Sequence, residues 1–227
     1  MSTLQVNTIS ESTSGSGVTI DGVKLKDNIV ETDTINEKTS ASGVTIDGLL
    51  IKDGAIPSIS GGGLVHISTD TFSTVSNFEK DSVFTATYDI YKIFITMDTT
   101  NNANSSLTFE LRGGSSNVTS NYVGNRIYTN IGGTSFVWAD TGTSSWYIAD
   151  PGSGDPNRFG AEITLFNPAS AEDTTYRSEA VGPYASAWYR QGSYGYNTNN
   201  TAYDGFNLNY SGTQMTGKVS TYGLALS

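Results

Sequence analysis

Three kinds of chemistry can be asked of this chain's polar and aromatic side chains: acid–base or nucleophilic catalysis, cation binding, and stacking against a ligand. A serine–histidine couple needs a base within reach, and His66 is the only histidine. It follows Gly61-Gly62-Gly63 and lies beside Leu64 and Val65, a setting for a packed or interface histidine rather than a catalytic base. With one histidine and no cysteine, thiolate and histidine-rich metal sites are excluded. The run Asp150-Pro-Gly-Ser-Gly-Asp155-Pro-Asn157 offers oxygen donors of the type calcium takes, but without the ordered ligand spacing of a calcium loop, and it reads as a polar surface turn. Glycoside hydrolysis needs two carboxylates roughly 5 to 9.5 Å apart across a cleft. Fourteen acids follow residue 60, and nothing in the pattern singles out a pair. No catalytic residue, metal ligand or cofactor is assigned, and enzymatic activity is not expected.

Stacking is better supplied. Aromatic rings present an apolar face to a pyranose, and the polar tips of Tyr and Trp add directional hydrogen bonds. Trp138 and Trp146 flank what reads as a loop over residues 139–145, and Trp188-Tyr189-Arg190 leads into QGSYGYNTNNTAYD at 191–204. Tyr and Asn on adaptable loops characterise recognition surfaces. The candidate carbohydrate-binding residues are therefore Tyr194, Tyr196, Tyr203, Trp138, Trp146 and Trp188. For the three tryptophans a place in the core or at a subunit interface is the competing reading. The three tyrosines are expected on exposed loops, because neither alternation nor a turn residue buries them.

The elements that must carry these residues fall into two unlike parts. No Phe, Tyr or Trp precedes Phe72. Before it stand two near-copies, ISESTSGSGVTIDGVKLKDN from Ile9 and INEKTSASGVTIDGLLIKDG from Ile35, identical at 13 of 20 positions. In each, apolar residues flank an Asp-Gly pair, a strong signal for a two-residue hairpin turn. That turn makes Ile20 face Val23 and Val18 face Leu25, and it sets Val44, Ile46, Leu49 and Ile51 on one side of the second copy. Four aliphatic side chains per copy cannot offset the ordering of the repeat at roughly 1 to 2 kcal/mol per residue, and a lone hairpin is marginal in water. These eight residues are expected to self-associate with other chains, in the manner of repeats that are unstable singly, as an intertwined homotrimeric shaft. A flexible tether with two incidental hairpins is the alternative.

The expected organisation is an N-terminal anchoring arm over residues 1–10, with Leu4, Val6 and Ile9 as its apolar contacts. A two-repeat shaft follows over 11–55, then a Pro/Gly hinge over 56–63 and a head over 64–227. In the head, apolar alternation marks strands with Tyr91, Ile93, Ile95 and Met97, with Leu107, Phe109 and Leu111, and with Phe159, Ala161, Ile163 and Leu165 on their inner faces. Phe206, Leu208 and Tyr210 line another, and Tyr222, Leu224 and Leu226 the last. Weaker patterns at 65–68, 83–88, 135–138, 146–148 and 187–189 bring the total to about ten. The fold class is all-β, ending in an antiparallel β-sandwich of jelly-roll type.

Twelve Lys and Arg against twenty-two acids leave a net charge of -10, so a phosphate-binding surface and a nucleic-acid partner are not expected. No 18-residue apolar run marks a membrane span. The opening MSTLQVNTIS lacks the basic and apolar regions of a secretory signal, so the protein is expected in the cytoplasm of the cell that makes it until another route releases it.

The opening MSTLQVNTIS, the VTIDGV and VTIDGL repeats, FTATYDIYKIFITMDTT followed by LTFELRGG, ITLFNPAS and the closing TGKVSTYGLALS resemble virion structural proteins of tailed bacteriophages. The likeness is to short fibre, tail-fibre and head-decoration proteins of marine, especially cyanobacterial, phages. It covers nearly the whole chain through strand and turn patterns, not a catalytic signature. The resemblance implies a trimer at the virion surface, docked on another virion protein through the N-terminal arm with its sandwich outward. Attachment to a host surface polysaccharide is the function expected first. Capsid decoration that stabilises the shell comes second, and a capsule-degrading hydrolase third. The resemblance does not say whether the site is tail or capsid, and one departure tilts that question: long tail fibres usually carry a substantial N-terminal adaptor, and here about ten residues precede the first repeat.

Overall fold

A computed structural model of the chain describes residues 44–46, 49–51, 63–100, 105–151, 157–184 and 187–225. The chain divides into two units, Met1–Ile59 and Ser60–Ser227. In the first, β1 (Val44–Ile46) pairs antiparallel with β2 (Leu49–Ile51), Val44 opposite Ile51 and Ile46 opposite Leu49. This is the register that the Asp47-Gly48 spacing predicts. The first repeat with Val18, Ile20, Val23 and Leu25, and the arm with Leu4, Val6 and Ile9, lie outside the described residues.

The second unit is all strand, with no helix among the described residues. Its elements are β3 (Gly63–Val75), β4 (Asn77–Lys80), β5 (Ile90–Thr100), β6 (Leu107–Gly113), β7 (Ser116–Asn117), β8 (Tyr122–Asn130), β9 (Ser135–Thr143), β10 (Trp146–Ala149), β11 (Asn157–Phe166), β12 (Thr174–Tyr184), β13 (Ala187–Asn197), β14 (Gly205–Tyr210) and β15 (Gln214–Ala225). Eight form one antiparallel sheet in the order β3-β15-β5-β11-β12-β13-β8-β9. A smaller sheet runs β10-β6-β14-β4, with β7 added to β6. The two sheets are unequal, unlike the matched pair of a jelly roll.

The core forms where the sheets face one another. Tyr91, Ile93, Ile95 and Met97 on β5 and Phe159, Ala161, Ile163 and Leu165 on β11 are buried as their alternation predicts, as are Leu107, Phe109 and Leu111 on β6 and Phe206, Leu208 and Tyr210 on β14. A ring pair joins the layers, Trp146 of β10 stacking on Tyr176 of β12 with centroids 4.2 Å apart, and within the small sheet Phe109 stacks on Phe206 at 5.2 Å.

Several expectations are corrected. Glu110 and Arg112, whose alternation with Leu107, Phe109 and Leu111 puts them on the opposite face of β6, are buried as well. Asn207 Nδ2 donates to Glu110 Oε2 at 2.9 Å, and the Arg112 guanidinium binds Asp81, Asn117 and the Ser115 carbonyl, so polar partners cover that face. Residues 83–88 form no strand; the Val83 and Phe84 amides both donate to the Asp204 carbonyl, which tucks the two side chains into the core. On β15 the buried parity is Met215, Val219 and Thr221 rather than Tyr222 and Leu224. Tyr222 packs on the outer face against Phe94 and the exposed His66, whose Nε2 bonds Thr69 Oγ1 at 2.9 Å. Leu226 lies outside the described residues. Strands β8 and β12 were not anticipated at all.

Candidate functional site

The small sheet does not reach the end of the large one. Its last strand, β10, packs on β12, β13 and β8, and β9 extends past it. Register sets Arg126 opposite Trp138, Tyr128 opposite Phe136 and Gln191 opposite Tyr128, with Tyr189 two residues before Gln191. Because side chains alternate along a strand, these six share the inner face. Under β10 that face is buried at Tyr128 and Gln191. Beyond it, Phe136 and Trp138 remain 46% and 44% exposed. The result is a cavity of about 480 Å³ lined by Arg126, Tyr128, Phe136, Trp138, Asp150 and Tyr189.

Its aromatic wall is ordered by its own contacts. Trp138 meets Tyr128 edge-on at 4.8 Å and stacks with Phe136 at 5.7 Å. The Arg126 guanidinium lies 4.4 Å from the Tyr147 ring centre and 5.7 Å from that of Trp138, a cation–π placement. Arg126 Nε lies 3.3 Å from Asp140 Oδ2 as an ion pair, yet that nitrogen makes no well-aligned hydrogen bond. The charge is thus held beside the rings and Asp140.

The polar floor is fixed by β10 and β13. The Gln191 amide imitates a strand partner: its Oε1 accepts from the Asp150 amide at 2.7 Å and its Nε2 donates to the Asp150 carbonyl at 3.0 Å. The Tyr128 hydroxyl donates to Asp150 Oδ2 at 2.9 Å, and the Tyr128 and Tyr147 hydroxyls are hydrogen-bonded to one another. Burial pushes the Asp150 carboxyl above its ordinary range, opposed by hydrogen bonds from the two tyrosines and by the charge of Arg126. Burial likewise raises the Tyr128 and Tyr147 hydroxyls, which stay neutral donors. The arrangement offers a half-exposed indole, a phenyl ring, a cation and a carboxylate around one concavity, the donor and stacking set of a ligand pocket.

No family model, curated protein or solved structure matches the chain. The pocket therefore has to be read from its own side chains.

Of the sequence-derived candidates, Trp138 alone lines this cavity. Trp188, Tyr194 and Tyr196 are 53%, 54% and 41% exposed, but register places them on the outer face of β13. They lie within a strand, not on a loop. Tyr194 and Tyr196 border a separate concavity of about 400 Å³ with Val123 and Asn125. Two candidates are withdrawn from solvent. Trp146 is 1% exposed, enclosed by Tyr176, Phe109 and Tyr122, with Nε1 donating to the Tyr196 carbonyl at 3.3 Å. Tyr203, expected on an exposed loop, is buried because its hydroxyl donates to the buried Asn197 Oδ1 at 2.9 Å. Residues 139–143, read as a loop between two tryptophans, continue β9. Arg126, Tyr128, Phe136, Asp150 and Tyr189 were not foreseen as one site. The paired alternations Arg126-x-Tyr128 and Phe136-x-Trp138, on either side of a Gly132-Gly133 turn, were the available signal.

Among the described residues no group of three or more His, Asp or Glu is arranged to hold a metal ion. Asp150 has its carboxylate committed to Tyr128, and residues 152–156 of the turn read as a weak calcium candidate lie outside the described residues.

Proposed function

We propose that the sandwich is a non-enzymatic carbohydrate-binding head, and that the chain is a tailed-phage virion surface protein, a short trimeric fibre or spike that attaches to host-cell glycan. The observation that carries the binding role is the cavity at the overhang of β9. Trp138 offers its ring face to a pyranose, while Arg126, Asp150 and Tyr189 surround it with polar groups. The virion assignment draws on the sequence resemblance, and the trimer on the burial shortfall of the VTIDG repeats. Three heads on one shaft would convert weak single-site contacts into avid attachment, since the second and third contacts are intramolecular.

The test is a glycan array probed with the full-length protein and with Trp138→Ala. Loss of at least about tenfold in affinity, or 1.4 kcal/mol, is expected for the variant with its fold unchanged by circular dichroism. Equal binding by the two proteins would exclude the cavity. Release of reducing ends from a bound polysaccharide, abolished in Asp150→Asn, would convert the reading to a hydrolase.

A further inference from the structure

A second concavity, of about 640 Å³, opens mainly on the outer face of the large sheet, with the inward Met97 and Phe159 also reaching it at the strand ends. It follows from one row of the register. Thr71 of β3 is opposite Lys218 of β15, Lys218 opposite Thr96 of β5, Thr96 opposite Gly160 of β11, and Gly160 opposite Val181 of β12. The row crosses five strands on one face. At its centre Gly160 has no side chain, and a Cβ built there would meet nothing within 4 Å, so the floor is bare. Trp188, 53% exposed, lines the β13 end. Arg190, the next outward side chain on that strand, is held by two hydrogen bonds to Glu179 at 2.7 and 2.8 Å, on the side away from Trp188. A trough with an indole at one end, a bare floor, and the Thr96, Thr71 and Lys218 polar groups beyond has the composition of the inner cavity: one ring face to stack on and hydroxyl and charged groups to hydrogen-bond.

The two concavities share a strand end. Trp188 lines the outer trough and Tyr189 the inner cavity. Adjacent Cα atoms are only about 3.8 Å apart, and consecutive side chains take opposite faces.

We infer that the trough is a second glycan subsite, and that the head binds an extended polysaccharide passing over the β12–β13 end of the sheet, with one sugar against Trp138 and another against Trp188. This rests on the proposed glycan binding and specifies its ligand: an internal stretch of a repeating chain rather than a terminal sugar. Two subsites on one rigid sheet, Trp138 on β9 and Trp188 on β13, make the second contact intramolecular, so affinity rises steeply once a chain is long enough to reach both.

Calorimetry of the full chain tests this, with disaccharide and longer size-fractionated fragments of the polysaccharide that binds best on the array. Wild type is expected to bind the longer fragments at least about a hundredfold tighter than the disaccharide. Trp188→Ala is expected to keep disaccharide binding at the Trp138 cavity and to lose most of that gain with length. Gly160→Gln, which deletes no contact and fills the trough floor, is expected to do the same, so misfolding of one variant does not decide the matter. Wild-type gain with length in both variants would overturn the second subsite while leaving the Trp138 site intact. Failure of every fragment to bind wild type would instead overturn the glycan reading on which the subsite rests.

Discussion

Under β10, the inner face of the large sheet meets Trp146, which is closed in by Tyr176, Tyr122 and Phe109. Past β10 the same face ends in Trp138, which has Tyr128, Phe136 and Arg126 around it and is still 44% exposed. The two indoles are of one chemistry and lie on consecutive strands. Cover separates them: a ring packed on all sides contributes to stability, and a ring left half exposed contributes less and keeps area open to solvent. Small-sheet strands stop one short of the large sheet's edge, and the pocket is the consequence.

Truncation separates the two regions most sharply. Trp146→Ala is expected to cost about 3 to 5 kcal/mol, the range for emptying a large aromatic from a core, read as a lowered urea midpoint. A cost under about 1 kcal/mol would mean that the covered region is as loosely packed as the overhang. Gln191→Ala tests the join between them. It removes the amide that satisfies both backbone groups of Asp150, leaving buried polar groups unpaired at about 1 to 3 kcal/mol. Because Asp150 is then unpinned, glycan affinity should fall with stability, unlike in Trp146→Ala, where the surviving folded fraction should bind normally. Trp138→Ala reverses the balance. Its half-exposed ring gives up edge-on, stacked and cation–π contacts worth roughly 0.5 to 1.5 kcal/mol each, less together than the core ring costs at its upper range, while ligand affinity drops by the roughly tenfold factor stated above.

The comparison also explains what could be read in advance. Tyr91, Ile93, Ile95 and Met97 announced β5 because the covered face there is wholly apolar, and β6, β11 and β14 were legible for the same reason. Strand β12 was not, because its inner face carries Thr174, Tyr176, Ser178, Ala180 and Gly182. Ser178 and Ser193 hydroxyls bond each other at 2.6 Å, and Ser193 Oγ donates to the Tyr147 carbonyl at 2.6 Å. A core satisfied by hydroxyls has no apolar period to detect. Strand β8 hid likewise behind Gly124, Arg126 and Tyr128. The glycines of QGSYGYN suggested a loop, yet a Cβ on Gly195 would come within 2.0 Å of the Val123 carbonyl oxygen, so close approach of β8 requires glycine inside the strand. Tyr203 was misplaced because its burial depends on Asn197, a partner that alternation does not reveal. The site itself was half legible: Trp138 was named, but Arg126, Tyr128 and Asp150 join it only through strand pairing between segments whose strand character was masked.

The smallest expected effect is electrostatic, and its sign distinguishes the two edges of the small sheet. At the edge away from the pocket, Asp81 is held below the usual carboxylate range, first by its hydrogen bond to Arg112, with burial opposing. A depressed carboxylate stabilises the fold above its unfolded pKa near 3.9, and that contribution is lost as pH falls through the folded value. Asp150 runs the other way. Its folded pKa is raised by burial, so between the unfolded and folded values the native state holds the extra proton, and stability declines as pH rises through that window. Asp150→Asn, which keeps an oxygen to accept from Tyr128, should therefore gain on wild type as pH rises above about 4, whereas Asp81→Asn should fall behind it as pH rises toward about 4 and keep a constant deficit above that. Urea midpoints of the three proteins across a pH series would show the two differences diverging in opposite directions. Parallel curves for the two variants would mean that the carboxyl at the overhang is as well compensated as the one beside Arg112, and that the pocket floor is not the poorly solvated surface that a ligand's hydroxyl groups would relieve.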